Sequence, residues 1–283
     1  MVVKRVGILY HPLIKAAYAL ARELEKSINS RNLPVWICSA WEEEQAKAEI
    51  QSTDLILTTG GDGTILRAAQ IALITQTPIV GINLGKLGFM TELSAGEAID
   101  KLPDLLSGDC WIDERVMLEV TLSSVEGSNE APRTFYALND VVVARGAIAR
   151  IIDIEASIDG ELMTNYKADG VILATATGST GYSLSAGGPI LHPQAKEIVL
   201  LPILPHLSLA YSMVLPSTAV VKLRVNTYHQ ATLGVDGHIN LPLSTGFLVM
   251  VKHSSSRIRF LRIHPRESFY GSLEKKLRGK RVK

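Results

Sequence analysis

The stretch Asp54-Leu55-Ile56-Leu57-Thr58-Thr59-Gly60-Gly61-Asp62-Gly63-Thr64 decides the fold of the first part of the chain. Its apolar run ends at Thr59 and predicts a buried strand, and the apolar spacing from Ile65 to Ala72 predicts a helix after the glycines. Backbone N–H groups at a helix start have no partner within the helix, and glycines let a phosphate approach them. The turn therefore predicts an anion site at the carboxyl end of a strand.

Asp62 lies at the centre of this turn, where a simple phosphate site would not place a carboxylate, because the two repel each other. Two functional interpretations remain. Asp62 is either a ligand for a metal ion near the phosphates or a general base that accepts a proton from an attacking hydroxyl. The structural alternative is a tight turn in which Asp62 caps the helix.

The composition indicates a soluble globular protein, with 47% hydrophobic and 20% charged residues and a net charge of +1. A charge so close to zero argues against a general nucleic-acid binder. Cys38 and Cys110 are too few for a disulfide framework or a thiolate metal cage. The first ten residues predict a strand rather than a signal peptide, and two prolines interrupt the apolar stretch 198–215. We therefore expect a cytoplasmic protein that does not enter a membrane.

Strands and helices alternate over the first hundred residues, which predicts an α/β domain over residues 1–108 with a parallel, Rossmann-like sheet. Pro12 suits the first turn of the first helix. The apolar face predicted for this helix consists of Leu13, Ala17, Leu20, Leu24 and Ile28. An acidic helix is predicted over 41–51. The loop from Asn83 to Met90, like Asp62, follows a strand, and ligands bind at such strand ends.

From about Ile112 the apolar pattern changes to period two, and Asp159-Gly160 marks a hairpin turn. No long helix is predicted between Gly108 and His264, so residues 109–264 are expected to form an all-β domain. Residues 265–283 are a tail expected to pack back on the first domain. The crevice between the two domains is the expected ligand site.

The segment 175–189 follows an apolar strand and is rich in glycine and small hydroxyl residues. Hydroxyl groups and open backbone suit the recognition of ribose, phosphate or base edges, and the ring of Tyr182 suits stacking on a base. A flexible surface loop is the structural alternative.

Five motifs together resemble the NAD kinase family over most of the chain. They are Gly60-Gly61-Asp62-Gly63-Thr64, Leu87-Gly88-Phe89, Leu138-Asn139-Asp140-Val141-Val142, Asp169-Gly170 and the segment 177–189. The first motif alone is shared with lipid kinases and phosphofructokinases, whereas the order and spacing of all five are specific. The resemblance implies a phosphofructokinase-like α/β domain followed by a β-rich dinucleotide-binding domain. It also implies transfer of a phosphoryl group to the 2′-hydroxyl of the adenosine ribose of NAD, from ATP or inorganic polyphosphate.

The resemblance also implies roles for single residues. Asp62 matches the general base, Gly63 lets the ligand approach, and Arg67 reaches a phosphate. Asn139 and Asp140 match the pair that holds the adenosine part, with Asp140 in place of the glutamate of many relatives. The residues expected to wrap the adenosine are Thr180, Gly181, Tyr182, Ser183, Leu184 and Ser185.

Four further residues match contacts of the family. Asp169 resembles the carboxylate that contacts the nicotinamide half, and Lys167 precedes it on the same strand face. Arg150 matches a basic contact often supplied across a subunit interface, or is a surface charge at a strand end. His238 lies near a contact whose residue type varies among relatives, or is a histidine of a hairpin turn.

The family resemblance implies a divalent cation, Mg²⁺, carried mainly by the phosphates with Asp62 nearby, and a homodimer or homotetramer. Two alternatives stay open. A lipid kinase of the diacylglycerol or sphingoid type shares the first motif, although residues 65–69 differ from those families. A dinucleotide-binding regulator that has lost catalysis is the other, although binding alone does not require Asp62.

Overall fold

A computed structural model describes residues 3–85, 88–108, 110–124, 131–146, 150–206, 211–227, 229–265 and 269–278. Contacts divide the chain into two compact units, Met1–Glu114 with Arg257–Lys283, and Arg115–Ser256. The domain boundaries predicted from the sequence lie instead after Gly108 and after His264. Gly108 is the left-handed end of a helix, with a φ of 84°, and the residues directly after it still belong to the first unit.

The elements are numbered in chain order. The strands are β1 (Val6–Tyr10), β2 (Val35–Ser39), β3 (Leu55–Thr59), β4 (Ile79–Asn83), β5 (Leu93–Ser94), β6 (Trp111–Ser123), β7 (Arg133–Ala137), β8 (Asp140–Arg145), β9 (Ile152–Ile158), β10 (Glu161–Ala168), β11 (Gly170–Ala174), β12 (Ile198–Ile203), β13 (Met213–Leu215), β14 (Val220–Val225), β15 (Ala231–Val235), β16 (Ile239–Leu243) and β17 (Leu248–Arg262). The α-helices are α1 (Lys15–Asn29), α2 (Glu43–Glu49), α3 (Asp62–Ala72), α4 (Leu102–Ser107), α5 (Tyr182–Ser185) and α6 (Phe269–Arg278).

The first unit is built on a parallel sheet in the order β2-β1-β3-β4, with β5 also parallel to β4. The end of β17 lies on β4 through the pair Phe260 and Ile79. Apolar residues of β1, β3 and β4 pack against one face of α1 and against α4. The predicted α/β fold with a parallel sheet is confirmed.

Two details of the first helices differ from the prediction. Helix α1 begins at Lys15, so Pro12 and Leu13 lie in the turn before it, and the side chain of Leu13 is 83% exposed. The buried face of α1 consists of the other four predicted residues together with Ala21, which lies one turn after Ala17 on the same side of the helix. The acidic helix is shorter than predicted, since α2 ends at Glu49 and continues as a 3₁₀ turn.

The second unit consists of antiparallel strands, as predicted for an all-β domain. One sheet has the order β13-β12-β11-β8-β15-β16, and another set pairs in the order β10-β9-β14-β17. Alternate residues of these strands form one apolar core, and the only α-helix among the unit's described residues is the four-residue α5. Among the described residues of the whole chain, every helix is too short or too polar to reach across a lipid bilayer.

The six-stranded sheet places three separate segments beside one another. Strand β8 lies between β11 and β15, and its register pairs Asp140 with Ala174 and Val141 with Val235. The residue just before β8 and the residues just after β11 and β15 therefore lie side by side at the same end of these three strands. Asn139, Thr175 and Asp236 are the first residues outside these strands.

Candidate functional site

Asp62 is held by the backbone of a loop that lies far from it in the sequence. Its Oδ2 accepts a hydrogen bond from the N–H of Phe89 at 2.9 Å, and its Oδ1 accepts one from the N–H of Met90 at 3.2 Å. The N-cap of α3 is Gly61, and Asp62 is the first helical residue, so the helix-cap interpretation is wrong. These bonds fix a half-buried carboxylate at the carboxyl end of β3.

Glycines around Asp62 have two different functions. A Cβ at Gly88 would lie 2.3 Å from Oδ1 of Asp62, so only glycine lets this loop approach the carboxylate so closely. A Cβ at Gly61 or Gly63 would meet no described atom within 4 Å, which leaves open space next to Asp62. Leu87, part of the predicted motif, lies outside the described residues.

Arg67 packs on an aromatic ring. Its guanidinium carbon lies 4.3 Å from the ring centroid of Trp41, whose side chain is 40% exposed, and the ring of His11 meets Trp41 edge-on at 4.6 Å. Arg67 is half-buried and lies five residues after Asp62 on α3. Local sequence patterns do not predict this cation–π contact, because Trp41 and Arg67 lie 26 positions apart on different parts of the fold.

A buried ionic cluster anchors the loop that holds Asp62. Arg262 donates from Nη1 to the carbonyl oxygen of Met90 at 2.9 Å and to Glu92 at 3.2 Å, and its Nη2 lies 3.2 Å from Asp113. The side chains of Arg262, Glu92 and Asp113 are 7%, 8% and 4% exposed. Sequence reasoning missed this cluster because 149 or more residues separate Arg262 from its two carboxylate partners.

A pocket of about 350 Å³ lies in the second unit, against one face of strands β8, β15 and β16 of the six-stranded sheet. This volume is within the usual range for sites that bind small molecules. It is lined by Asn139, Asp140, Val142, Ala144, Tyr182, Thr232, Gly234, Asp236, Gly237 and Asn240. The structure thus brings together three of the predicted residues, Asn139, Asp140 and Tyr182, together with residues of β15 and β16 that were not predicted.

Both backbone polar groups of Asn139 are hydrogen-bonded, and its side chain lines the pocket. Its N–H donates to Asp236, and its carbonyl oxygen accepts the N–H of Thr175 at 2.9 Å. The Oδ1 of Asn139 is buried and has no hydrogen-bond partner among the described residues. A buried acceptor without a partner is costly, so a ligand with a donor group would stabilise it.

Two carboxylates border this pocket. Burial raises the pKa of the Asp140 carboxyl to about 6. Burial is also the main cause that raises the pKa of Asp236 to about 7, with a smaller contribution from the negative charge of Asp140. Backbone N–H groups of Leu138, Asn139 and Asp140 bond to Asp236 and oppose this rise. Both carboxyls therefore take up protons at a higher pH than ordinary aspartates.

The raised pKa of Asp140 predicts a pH-dependent stability. Between pH 3.8, its ordinary pKa, and about 6, the folded chain retains a proton on Asp140 that the unfolded chain releases. The free energy of unfolding should therefore fall as pH rises through this range, by up to about 1.4 kcal/mol per pH unit from this group. We expect Asp140→Asn to remove this part of the slope in urea unfolding between pH 4.5 and 6. The contribution of Asp236 should remain, and equal slopes in both proteins would contradict the assignment.

The other residues predicted to contact the adenosine lie in the segment after β11. A Cβ on Gly181 would lie 3.5 Å from Nδ2 of Asn139, and Tyr182 next to it is 48% exposed. Thr180 donates from Oγ1 to the carbonyl oxygen of its own turn, at Thr177. The predicted residues of this segment that do not line the described pocket are Thr180, Gly181, Ser183, Leu184 and Ser185.

The remaining predicted residues lie outside the lining of this pocket. Asp169 pairs with Arg145, whose Nε lies 3.0 Å from Oδ1 of Asp169. Lys167 and Arg150 are exposed. His238 is half-buried and bonds through Nδ1 to the carbonyl oxygen of Asp236 at 3.2 Å. Across the described residues, no group of three or more His, Cys, Asp or Glu side chains is arranged to hold a metal ion.

Comparison with known proteins covers both units. The ATP-NAD kinase N-terminal domain matches residues 14–110, and the ATP-NAD kinase C-terminal domain matches residues 138–263. The chain is 49% identical over 276 residues to an NAD kinase of Dehalococcoides mccartyi, with 98% of this chain and 96% of the relative covered. It is 38% identical over 275 residues to an NAD kinase of Chloroflexus aggregans, with 97% and 99% covered.

Two solved structures share the fold. Yeast NADH kinase, solved in complex with NADH, has a TM-score of 0.81 and 26% identity, and the match covers 100% of this chain and 89% of that one. An NAD kinase from Archaeoglobus fulgidus, in complex with ATP, has a TM-score of 0.75 and 24% identity, with 96% and 98% covered. At 24% identity, the similarity to the Archaeoglobus fulgidus structure shows the shared fold alone.

An α/β unit with a carboxylate at a glycine-rich helix start, followed by a β-rich unit with a pocket of small-molecule size, is consistent with a kinase that acts on a small molecule. The matches to both domains and to full-length relatives make the class specific. The chain belongs to the NAD kinase family, and it is an enzyme, a transferase that phosphorylates NAD. The alternatives of a lipid kinase and of a non-catalytic regulator are not supported by these matches.

Proposed function

We propose that Asp62 is the general base of the reaction and accepts the proton of the ribose 2′-hydroxyl of NAD as the oxygen attacks the phosphoryl group. The observation that carries the proposal is the carboxylate itself, fixed by the N–H groups of Phe89 and Met90 beside two glycines with open space. A hydroxyl is a weak nucleophile at neutral pH, and a positioned base typically contributes about 10²–10⁴-fold to the rate.

The adenosine part of NAD is proposed to bind in the pocket of the second unit. Its size suits a nucleoside, and Asn139 offers an acceptor and a donor for base or sugar groups. Asp140 is proposed to accept hydrogen bonds from ribose hydroxyls, and the half-exposed ring of Tyr182 to stack on the base. Ser183 also has a buried Oγ without a partner among the described residues, which supports a role for this segment in binding.

The other predicted contacts are proposed on the family resemblance. Asp169 and Lys167 would contact the nicotinamide half, with Arg145 orienting the carboxylate of Asp169. Arg150 and His238 would add outer contacts. The other residues proposed to surround the adenosine part are Thr180, Gly181, Leu184 and Ser185.

ATP is the proposed phosphoryl donor, with inorganic polyphosphate as a second donor class. Gly63 would let the phosphates approach α3, and Arg67 would leave Trp41 to reach them. Asp62 fits a divalent cation carried by phosphates, because each of its oxygens accepts one N–H bond and retains a lone pair for a hard cation. When carried in by the phosphates, Mg²⁺ would neutralise their charge during the transfer, with Asp62 as the nearby carboxylate.

We further propose that the protein is a homodimer or homotetramer and that it is cytoplasmic. Light scattering on the purified protein would test the oligomeric state.

An assay panel tests the proposed reaction. Purified protein with NAD, ATP and Mg²⁺ is expected to form NADP, measured with a coupled NADP-specific dehydrogenase. NADH in place of NAD, and polyphosphate in place of ATP, then establish the acceptor and donor ranges. Binding of NAD without product from any donor would contradict the proposal, as would phosphorylation of diacylglycerol instead of NAD.

A further inference from the structure

Asp236 is a buried carboxylate in the turn between β15 and β16, with a φ of 49°, followed by Gly237 at 68°. Its Oδ2 accepts the N–H of Leu138 at 2.8 Å. Its Oδ1 accepts the N–H of Asn139 at 2.7 Å and that of Asp140 at 3.2 Å. In return, the N–H of Asp236 donates to the carbonyl oxygen of Asp140 at 3.0 Å. One side chain thus binds three consecutive N–H groups of the segment that borders the pocket.

A second set of contacts holds the same segment from its other side. The Oγ1 of Thr175 donates to the carbonyl oxygen of Leu138 at 2.6 Å. A Cβ on Gly178 would lie 2.0 Å from the carbonyl oxygen of Asn139, so the segment after β11 lies directly against it. The backbone of the segment is therefore fixed from both sides, and only the side chains of Asn139 and Asp140 are directed to the pocket.

We propose that Asp236 is a positioning residue for NAD binding, which sets the orientation of Asn139 and Asp140 by holding their backbone N–H groups. The proposal rests on the proposed function, in which these two side chains bind the adenosine part. Hydrogen bonds from one buried side chain to three successive N–H groups restrict that stretch of backbone to one arrangement. Side chains held in this way bind a ligand without first having to become ordered, which favours affinity.

The test variant is Asp236→Asn, which keeps the size of the side chain. An amide has one acceptor oxygen, so its nitrogen must face one or more of the three N–H groups as a second donor. We expect the KM for NAD to rise about 10-fold or more, whereas kcat falls less than about threefold and the KM for ATP is unchanged. A purely structural role would not separate NAD from ATP in this way. Calorimetry with NAD alone should give the same loss of affinity.

Asp159→Asn is the matched control. Asp159 also lies in a hairpin turn of the second unit at a φ of 51°, is followed by Gly160 at 90°, and accepts the N–H of Val220 at 2.8 Å. It does not border the described pocket that contains Asn139. We expect this control to keep the wild-type KM for NAD.

Gly178→Ala displaces the same segment without changing Asp236, and we expect the same selective rise in the KM for NAD. A wild-type KM for NAD in folded Asp236→Asn would overturn the proposal, and so would equal changes for NAD and ATP. Loss of folding in both variants would also overturn it, because the carboxylate would then serve the fold alone. If the adenosine part does not bind in this pocket, Asn139→Ala will also leave the KM for NAD unchanged. This result distinguishes failure of the proposed adenosine site from failure of the proposed role of Asp236.

Discussion

Replacement of Asp62 by asparagine is expected to lower kcat by about 10²-fold or more, while the affinity for NAD stays near that of the wild type. The amide keeps the shape of the side chain and still offers one oxygen to the N–H of Phe89 or Met90, but it cannot accept a proton from the ribose hydroxyl. The coupled NADP assay measures kcat, and calorimetry with NAD measures affinity.

Asp54→Asn is the control for this variant. Asp54 lies just before β3, at the opposite end from Asp62, and its Oδ2 also accepts two backbone N–H groups, those of Lys4 and Arg5, at 2.8 and 2.9 Å. We expect the control to lose some stability but to keep its kcat. A kcat near wild type in Asp62→Asn, or an equal loss in both variants, would assign Asp62 to the structure rather than to the chemistry.

Arg262→Met is expected to lower the free energy of unfolding by about 3–5 kcal/mol, because it leaves the buried carboxylates of Glu92 and Asp113 without their cation. It also removes the donor to the carbonyl oxygen of Met90, whose N–H group holds Asp62. Urea unfolding, compared at equal slope, measures the loss in stability.

Arg259→Met gives the matched comparison for Arg262→Met. Arg259 lies on the same strand and pairs with Glu114 at 3.4 Å, but the two side chains are 46% and 47% exposed. Exposed ion pairs contribute little, so we expect a loss below about 1 kcal/mol. Similar losses in the two variants would show that burial does not control the strength of the Arg262 cluster.

The sequence predicted the features that depend on neighbouring residues. The strand, the glycines and the helix around Asp62 follow from local apolar periodicity, and so does the change to an all-β pattern after about Ile112. The predicted start of the first helix was wrong, because a proline such as Pro12 fits both a first helical turn and the turn before a helix. Only the packed structure distinguishes these cases, since it leaves Leu13 exposed and buries Ala21.

The sequence could not predict features built from distant partners. The bonds of Asp236 to Leu138 and Asn139 span 98 and 97 residues, and no local pattern indicates such a pairing. The one available signal was the Asp236-Gly237 pair, whose composition indicates a turn but not what its carboxylate binds. The same holds for Phe89 and Met90, because a glycine-punctuated loop predicts open backbone but not the carboxylate that it contacts.

The role of Asp62 as the general base is tested most directly by the distance between the ribose 2′-oxygen of NAD and the nearest carboxylate oxygen of Asp62, measured in a crystal of the enzyme with NAD. A general base must lie within hydrogen-bond reach, so we expect a distance of about 2.6–3.2 Å, or a single bridging water. A 2′-oxygen well beyond the reach of one water, both with and without a non-hydrolysable ATP analogue, would contradict it.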